Sequence, residues 1–441
     1  MSSLEVILIF IYLVGFSLVI LKTKIFESPY VSKSFLVKVL ALKTLFGFLY
    51  AYIHFENGWQ DTFMLFLNGK HIAQVLFESP ELYFKLVTGQ IEKPLSPEIT
   101  AMLNGDEMKK YFQERSSFTV KVNALLIPFT YGYYSVLTVF YEMISLVGLF
   151  YIYRVIAPKF SFNSRLLKYF LFFAPSFLFW FSGVHKEALT IFGIGIILYA
   201  SQEVYRRRWG HILLLLFGLA FTYLARDYAL FILVPALFAL VASLKMPKRP
   251  YLPYIITYGF CSILFFVGRY ISPKLNFPEL FVGYQKNFMR LKGESNFEMV
   301  PLEPTIESFA TSVPIALFNS LFKPNFSHTH TFWSTLAAIE NVTYVIFTIV
   351  FLFFLNTKRL TTKQKSYITA FLFFGLSYFI LLGLIVDNVG AIVRYKSIPL
   401  VFFGSALIIL FDVSKFERFL KLSPNSVGRW VHRRKTQKVV K

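Results

Sequence analysis

Cysteine and acidic residues are scarce in this sequence. The 441-residue chain has one cysteine, Cys261, and 24 Asp and Glu residues against 45 Lys and Arg residues. A single cysteine inside an apolar run excludes a disulfide framework and a thiolate metal cluster. The nucleotide-binding patterns GxGxxG and GxxxxGK[ST] are absent as well. Direct use of ATP or NAD is therefore disfavoured.

Apolar residues, in contrast, are abundant and occur in long blocks. Hydrophobic residues make up 56% of the chain, which contains 54 Phe and 26 Tyr. About 20 apolar residues span the hydrocarbon core of a bilayer as a helix. The recurring blocks therefore predict an all-α fold, a polytopic transmembrane helix bundle of about eleven helices. The predicted helices are 5–22, 35–53, 134–153, 166–182, 187–203, 209–225, 228–245, 252–270, 334–355, 365–385 and 395–411.

Basic residues alternate along the connections between these helices. The Lys- and Arg-rich connections all fall on one side of the predicted bundle, together with the basic tail, and by the positive-inside rule that side is cytoplasmic. The net charge of +21 therefore reflects the membrane topology, and the basic tail is also attracted to anionic lipid. No nucleic-acid partner is expected. The N-terminus is predicted outside and the C-terminus inside.

The predicted membrane topology divides the chain into two regions. Residues 1–412 form the multi-pass transmembrane domain, and residues 413–441 form a basic cytoplasmic tail. Two long loops, 54–118 and 271–333, are external and long enough to hold short extracytoplasmic juxtamembrane helices. The apolar block Val120–Tyr131 is too short to cross and is expected to be interfacial or re-entrant.

Ionisable residues gather at the predicted external ends of the helices. Charges near or within a bilayer are costly and usually face a polar cavity or pair with one another. Lys and Arg neutralise phosphate, and a carboxylate can take a hydroxyl proton. This arrangement favours a site for an amphiphile with an anionic head. The residues concerned are Asp61, His185, Lys186, Glu187, Arg226, Asp227, Arg269, Glu340, Asp387, Arg394 and Lys396.

Roles can be assigned within this group. Asp61 is the expected catalytic base or metal ligand, and Glu187 is the second choice. Substrate binding is expected from His185, Lys186, Arg226, Arg394 and Lys396. A plainer interpretation is that Arg226 only caps a helix and that Lys396 extends to the interface. No metal site is assigned, because no HExxH motif accompanies the histidines of the second external loop, although a divalent metal ion is compatible with the chemistry.

Short segments resemble bacterial GT-C-like multi-pass glycosyltransferases and the neighbouring envelope polysaccharide polymerases. The segments are Gly58-Trp59-Gln60-Asp61-Thr62, Pro175 to Glu187 with its Pro-Ser and Phe-Trp-x-Ser-Gly-x-x-Lys-Glu elements, and Arg394-Tyr395-Lys396 with Pro399. A fourth segment, Pro314 to Pro324 with Glu340-Asn341, is similar to a loop of uncharacterised bacterial membrane proteins in polysaccharide loci and implies no chemistry. The resemblance implies transfer from a polyprenyl-(di)phosphate-linked sugar to a glycan or lipid acceptor. It also implies the outer face of the bacterial cytoplasmic (inner) membrane and surrounding membrane lipids.

Two other functions remain open at the level of sequence. An oligosaccharide repeat-unit polymerase or ligase differs from the transferase mainly in the size of the acceptor. A lipid-linked sugar flippase or transporter would use ionisable groups inside the membrane, and Lys43 and Glu142 fall within predicted helices. A non-enzymatic membrane subunit would instead scatter its charges without bringing them to one cavity.

Overall fold

The protein is an all-α helix bundle, as its sequence predicts. A computed structural model describes residues 2–56, 61–90, 117–290, 295–328 and 331–422, and these ranges contain eighteen α-helices and no β-strand. The helices are α1 Ser3–Lys22, α2 Lys33–Glu56, α3 Asp61–Glu78, α4 Pro80–Thr88, α5 Ser117–Thr130, α6 Tyr134–Ile156, α7 Ser164–Phe173, α8 Pro175–Trp180, α9 Lys186–Tyr205, α10 Ile212–Lys245, α11 Leu252–Ile271, α12 Phe277–Met289, α13 Ile306–Phe322, α14 Phe332–Phe353, α15 Thr362–Ile385, α16 Val389–Tyr395, α17 Ser397–Leu410 and α18 Val413–Leu422.

Eight helices in the described part of the chain are long and apolar enough to cross a membrane. The pair α16 and α17, bent by 54°, raises this number to nine when it is counted as one broken span. The polytopic character predicted from the sequence is therefore confirmed. Two irregular helical regions account for the difference from the predicted number of about eleven.

The first irregular region is α10, in which two predicted helices are joined. It has 34 residues and would be about 51 Å long if straight, well beyond the about 30 Å of a hydrocarbon core. The helix breaks at Arg226, whose φ of −161° and ψ of 91° are not helical. Arg226 contacts Glu187 at the start of α9, whereas Leu244 lines a small cavity with Tyr205 at the end of α9. The chain therefore runs along α9, turns at Arg226 and returns.

The second irregular region replaces the predicted helix 166–182. Pro175 begins a new helix after Ala174, whose ψ of 128° ends α7. Just before α7, Asn163 donates to the carbonyl of Ile408 at 2.6 Å, near the end of α17. After α8, the chain reaches His185, which lies beside Arg394. The broken pair α7 and α8 thus connects the two ends of the bundle.

The contacts place the basic connections at one end of the bundle, which we call the basic-loop end. Arg154 donates to the carbonyl of Ile25 at 2.8 Å, and Gln364 donates to the carbonyl of Lys159 at 2.6 Å. Ser243 and Ser366 form a hydroxyl–hydroxyl hydrogen bond of 2.6 Å. The opposite end, where Asp61, His185, Glu187, Arg226 and Arg394 lie, is called the site end.

The two long loops predicted to be external contain short helices at the site end. The first loop holds α3 and α4. The block expected to be interfacial or re-entrant forms α5 directly after this loop, and Asn123 of α5 donates to the carbonyl of Leu65 in α3 at 3.0 Å. The second loop holds α12 and α13, and Gln285 of α12 donates to the carbonyl of Leu384 in α15 at 2.9 Å while accepting from the backbone of Leu302 at 2.7 Å. Residues 57–60, 91–116, 291–294, 329–330 and 423–441 lie outside the described residues, and with them most of the predicted tail.

Small residues set the position of α9 in the centre of the bundle. A Cβ on Gly148 of α6 would lie 2.5 Å from the carbonyl oxygen of Ile191, and one on Gly195 would lie 2.3 Å from the carbonyl oxygen of Gly148. The α6 and α9 backbones are therefore in direct contact, which only small residues permit in a membrane bundle. This contact fixes the helix that begins with Lys186 and Glu187.

Candidate functional site

The turn between α8 and α9 delivers three of the predicted site residues. Lys43 of α2, which is 1% exposed, donates to the carbonyl of Phe181 at 3.2 Å and to the Ser182 hydroxyl at 3.0 Å. Ser145 of α6 donates to the same Phe181 carbonyl at 2.6 Å. These buried contacts hold the turn so that His185 precedes the first residue of α9. Lys43 therefore has a structural partner inside the bundle.

Glu187 is the centre of the cluster. Its side chain is fully buried, and its Oε1 lies 2.6 Å from Nη2 of Arg226 and 3.5 Å from Nε of Arg394. The Arg226 side chain is 4% exposed and that of Arg394 is 15% exposed. A buried carboxylate of this kind offsets the cost of burying its cationic partners. The geometry gives Glu187 the role of holding two arginines in place, whereas the sequence suggested a reserve base.

Arg394 links this buried pair to the exposed Asp61. Its Nη1 lies 3.3 Å from Nε2 of His185 and 3.5 Å from Oδ2 of Asp61, and its Nη2 donates to the Tyr395 hydroxyl at 2.7 Å. The Asp61 side chain is 70% exposed. Desolvation raises the pKa of Asp61, but attraction to Arg394 and Lys186 outweighs it and holds that pKa below its ordinary value. Asp61 is thus an ionised carboxylate at the mouth of the cluster.

His185 is held in its neutral form. Burial, followed by repulsion from Arg394, lowers the pKa of His185 well below its ordinary value. Since Arg394 is always a donor, Nε2 of His185 is the acceptor and the ring proton is on Nδ1. That Nδ1 lies 3.9 Å from Oε2 of Glu187. His185 therefore orients Arg394 and adds no charge.

Two tyrosines for which no role was predicted complete the cluster. The guanidinium carbon of Arg226 lies 4.3 Å from the ring centroid of Tyr395, and that of Arg394 lies 4.7 Å from the same centroid. The Tyr228 hydroxyl accepts a hydrogen bond from Nη1 of Arg226. Both tyrosines could have been found from their positions in the sequence, because each is within two residues of an arginine predicted to bind substrate.

The cluster retains unused hydrogen-bonding capacity. Within the described part of the chain, Oε2 of Glu187 and the Nε atoms of Arg226 and Arg394 are buried without a hydrogen-bond partner. Lys186 is half-buried and interacts electrostatically with Asp61, Glu187 and both arginines. Three cations therefore face two carboxylates, and the excess positive charge suits an anionic group.

Lys396 does not reach this cluster. Its amino group, 4% exposed, donates to the carbonyl of Lys323 at 2.9 Å and to the side-chain oxygen of Asn341. These bonds tie the bend between α16 and α17 to α13 and α14. The predicted head-group contact is replaced here by a structural one, because the bend turns the side chain away from Arg394 and towards α14.

Other ionisable residues predicted at this end lie around the cluster. Arg269 is exposed and donates to the Tyr270 hydroxyl at 2.8 Å. The Asp227 carboxylate accepts from the Tyr284 hydroxyl at 3.0 Å. Asp387 is buried beside Asn296, and burial raises the pKa of its carboxyl group. These residues form separate local contacts.

A large apolar cavity, which we call the groove, opens beside the cluster. It has a volume of about 1010 Å³ and lies between α2, α7, α8, α14, α16 and α17. At the site end it is lined by His54 and Val393, and Val393 precedes Arg394 in the chain. At the other extreme it reaches Leu407 and Ile408, close to the end of α17. The lining is mainly aromatic and aliphatic.

One carboxylate lies inside the groove. Glu340 of α14 accepts from the backbone N–H of Ser176 at 2.7 Å and from the Tyr344 hydroxyl at 2.6 Å. All three residues line the groove. Glu340 therefore joins α14 to the first turn of α8 across the cavity wall.

No family model, curated protein or solved structure matches this chain. Function is therefore inferred from the site itself, since one helical fold can carry many activities.

The described residues contain no cluster of side chains that could hold a metal ion. No set of three or more His, Cys, Asp or Glu residues suited to a metal ion occurs there. His328 hydrogen-bonds to the side-chain oxygen of Asn325 at 2.6 Å, and His330 lies outside the described residues.

Proposed function

We propose that the protein is an integral membrane glycosyltransferase that uses a polyprenyl-(di)phosphate-linked sugar. One observation carries the proposal: Arg394, which shares the buried carboxylate of Glu187 with Arg226, directly follows Val393 at the site end of a long apolar groove. Such a combination fits a ligand with an anionic head and a hydrocarbon tail. It also supports the likeness to GT-C-type enzymes noted from the sequence.

The dimensions of the groove suit a long lipid chain. Its lining extends along α14 from Trp333 to Phe351, a rise of about 27 Å at 1.5 Å per residue. One leaflet contributes about 15 Å of hydrocarbon. The groove is therefore deeper than a single leaflet. A polyprenyl tail would occupy it with the phosphate beside Val393 and Arg394.

The chemistry assigns a distinct task to each charged residue. An acceptor hydroxyl attacks the anomeric carbon, the bond between that carbon and the phosphate oxygen breaks, and the hydroxyl proton moves to Asp61. Arg394, Arg226 and Lys186 stabilise the negative charge left on the phosphate, which is electrostatic stabilisation by groups already in place. Glu187 and His185 keep the arginines oriented.

The acceptor enters from the open side of the cluster. Asp61 is mostly exposed and belongs to α3, outside the crossing helices. This exposure leaves room for a bulky glycan, so an oligosaccharide polymerase or ligase is the second candidate. In either case the site end faces away from the cytoplasm, because the opposite end carries the basic loops. The proposed location is the bacterial inner membrane.

The test uses Arg394 and a matched arginine outside the cluster. We expect Arg394→Gln to reduce glycan output by about 100-fold or more, as loss of a preorganised charge-stabilising donor does. Lipid-linked precursor should accumulate. Arg269→Gln, at an exposed arginine of the same end, should leave output unchanged. Product is measured by gel and mass spectrometry in cells lacking the wild-type copy, at equal membrane levels of each variant.

The result can also reject the proposal. Unchanged glycan and precursor profiles in Arg394→Gln would remove the cluster from the chemistry. If product were lost and no lipid-linked precursor accumulated on the side of the membrane where the cluster lies, a lipid-linked sugar transporter would be favoured instead.

Filling the groove gives an independent prediction. Ala337 of α14 lines the groove, whereas Ile346 of the same helix is 53% exposed and does not. We expect Ala337→Trp to lower transfer at limiting donor by about tenfold, since the tail and the indole compete for one space, and Ile346→Trp to have little effect. Donor titration in membrane vesicles measures this. Equal effects of the two variants would contradict a tail in the groove.

A further inference from the structure

A small pocket with two lysines in its wall lies at the basic-loop end, far from the cluster and the groove. It has a volume of about 260 Å³ and is lined by Lys159, Tyr205, Leu244, Lys363, Gln364 and Tyr367; we call it the basic pocket. The turn after α6 and the ends of α9, α10 and α15 meet there. The proposed transfer reaction uses none of these residues.

The charges around the basic pocket are unbalanced. Lys159, Arg206, Arg208 and Lys363 are cationic, and Glu203 is their acidic neighbour. Glu203 is already bound by Arg206 and Arg208, each at 2.8 Å. Arg206 also repels the Lys159 ammonium. Glu203 also attracts Lys159, but each of its two oxygens is already paired with an arginine. The four cations and one carboxylate leave a net positive charge around the pocket.

The lining also supplies directed hydrogen-bond donors. Lys159 donates to the Val155 carbonyl at 2.7 Å and to the Gln202 side chain, and its amino group lies 4.8 Å from the ring centroid of Tyr367. This leaves one ammonium proton unused. The Tyr205 and Tyr367 hydroxyls make no hydrogen bond within the described part of the protein. Two cations and two free hydroxyls around one cavity match the oxygens of a phosphate ester.

We propose that the basic pocket binds the phosphate head group of an anionic membrane lipid. The pocket lies where helices leave the bilayer, and Tyr205 beside it is 45% exposed. Basic pockets between transmembrane helices at such a boundary bind anionic head groups. Because one head group would contact four chain segments, the bound lipid holds their ends together and stabilises the bundle.

The experiment measures lipid-dependent stability of the full chain in phosphatidylcholine nanodiscs. Phosphatidylglycerol is titrated in, and the thermal midpoint is followed by Trp fluorescence. We expect phosphatidylglycerol to raise the midpoint of the wild type. Lys363→Gln should weaken the apparent affinity by about fivefold, the effect of one basic residue near an anionic surface. Lys358→Gln, an exposed lysine of the preceding loop outside the pocket, should retain the wild-type affinity.

Two further measurements test whether the pocket requires a lipid phosphate and whether the charge of Lys363 is responsible. Inorganic phosphate in place of phosphatidylglycerol should give no stabilisation, and Lys363→Arg should restore the lipid effect. Equal stabilisation by inorganic phosphate would replace the lipid site with a soluble-anion site. An equal loss in Lys358→Gln, or no response to phosphatidylglycerol, would overturn the proposal. Native mass spectrometry of the same variants counts the retained lipids.

Discussion

Asp61→Asn is expected to lower the rate of glycosyl transfer by about 10²- to 10⁴-fold, the contribution of a positioned general base. The amide keeps the size of the side chain but cannot accept the acceptor proton. Binding of the donor should change little, because the phosphate contacts come from Arg226, Arg394 and Lys186. The measurement is glycan output together with the amount of lipid-linked precursor, at equal membrane levels.

The matched control for Asp61→Asn is Glu307→Gln. Glu307 is also an exposed acid in the first turn of a helix at the site end, but α13 keeps it outside the cluster. Equal activity of Asp61→Asn and wild type would show that another group takes the proton. A loss in both variants would indicate a general effect of surface charge.

The pH dependence follows from the same carboxylate. The pKa of Asp61 is lowered from its ordinary value of 3.8, so the base form is lost only at pH values below that. The transfer rate of the wild type should therefore show no acid limb from Asp61 near neutrality. His185 adds none either, because its pKa is lowered and the ring is already neutral. An acid limb at higher pH that disappears in Asp61→Asn would contradict the lowered pKa.

Glu187→Gln is expected to reduce the free energy of unfolding by about 3–5 kcal/mol, the cost of leaving buried charges without their partner. Its carboxylate has no exposed surface, and both arginine side chains are largely enclosed. The midpoint of thermal unfolding in detergent, followed by Trp fluorescence, measures the loss.

Glu203→Gln is a close control for this prediction. Glu203 is also buried and paired with two arginines, but the Arg206 and Arg208 side chains are 53% and 66% exposed. Those arginines can turn to solvent, so the loss in Glu203→Gln should be much smaller. Adding Arg226→Met to Glu187→Gln should recover part of the stability by removing a buried charge. Equal losses in the two single variants would show that burial of the arginines is not the cause.

The membrane-spanning helices could be predicted from the sequence because the length of an apolar block depends only on bilayer thickness. The break at Arg226 was predicted in position, since the predicted helices end at 225 and begin again at 228. Pro175 signals the start of α8, although one helix was predicted over 166–182. The extended backbone of Arg226 did not follow from the sequence, because a tertiary contact with Glu187 holds it.

The grouping of Asp61, His185, Lys186, Glu187, Arg226 and Arg394 followed from topology, since every one of these residues was predicted at the same end. Their individual contacts did not follow from it. Glu187 and Asp61 have the same charge at similar depth, and only packing makes one a partner of arginines and the other an open carboxylate. Lys396 was predicted in the group because it is two residues from Arg394, a separation that a bend in the helix can turn to another side.

The break at Arg226 also constrains how the chain enters the membrane during synthesis. The segment before it, from Trp209 to Ala225, has 17 residues, and the segment after it, from Asp227 to Lys245, has 19. Both lengths are at the short end of the about 17–25 residues that span a hydrocarbon core. The two segments therefore fit the membrane as the arms of a helical hairpin with Arg226 and Asp227 at its tip, and insertion of this hairpin requires both charged residues to cross the bilayer together.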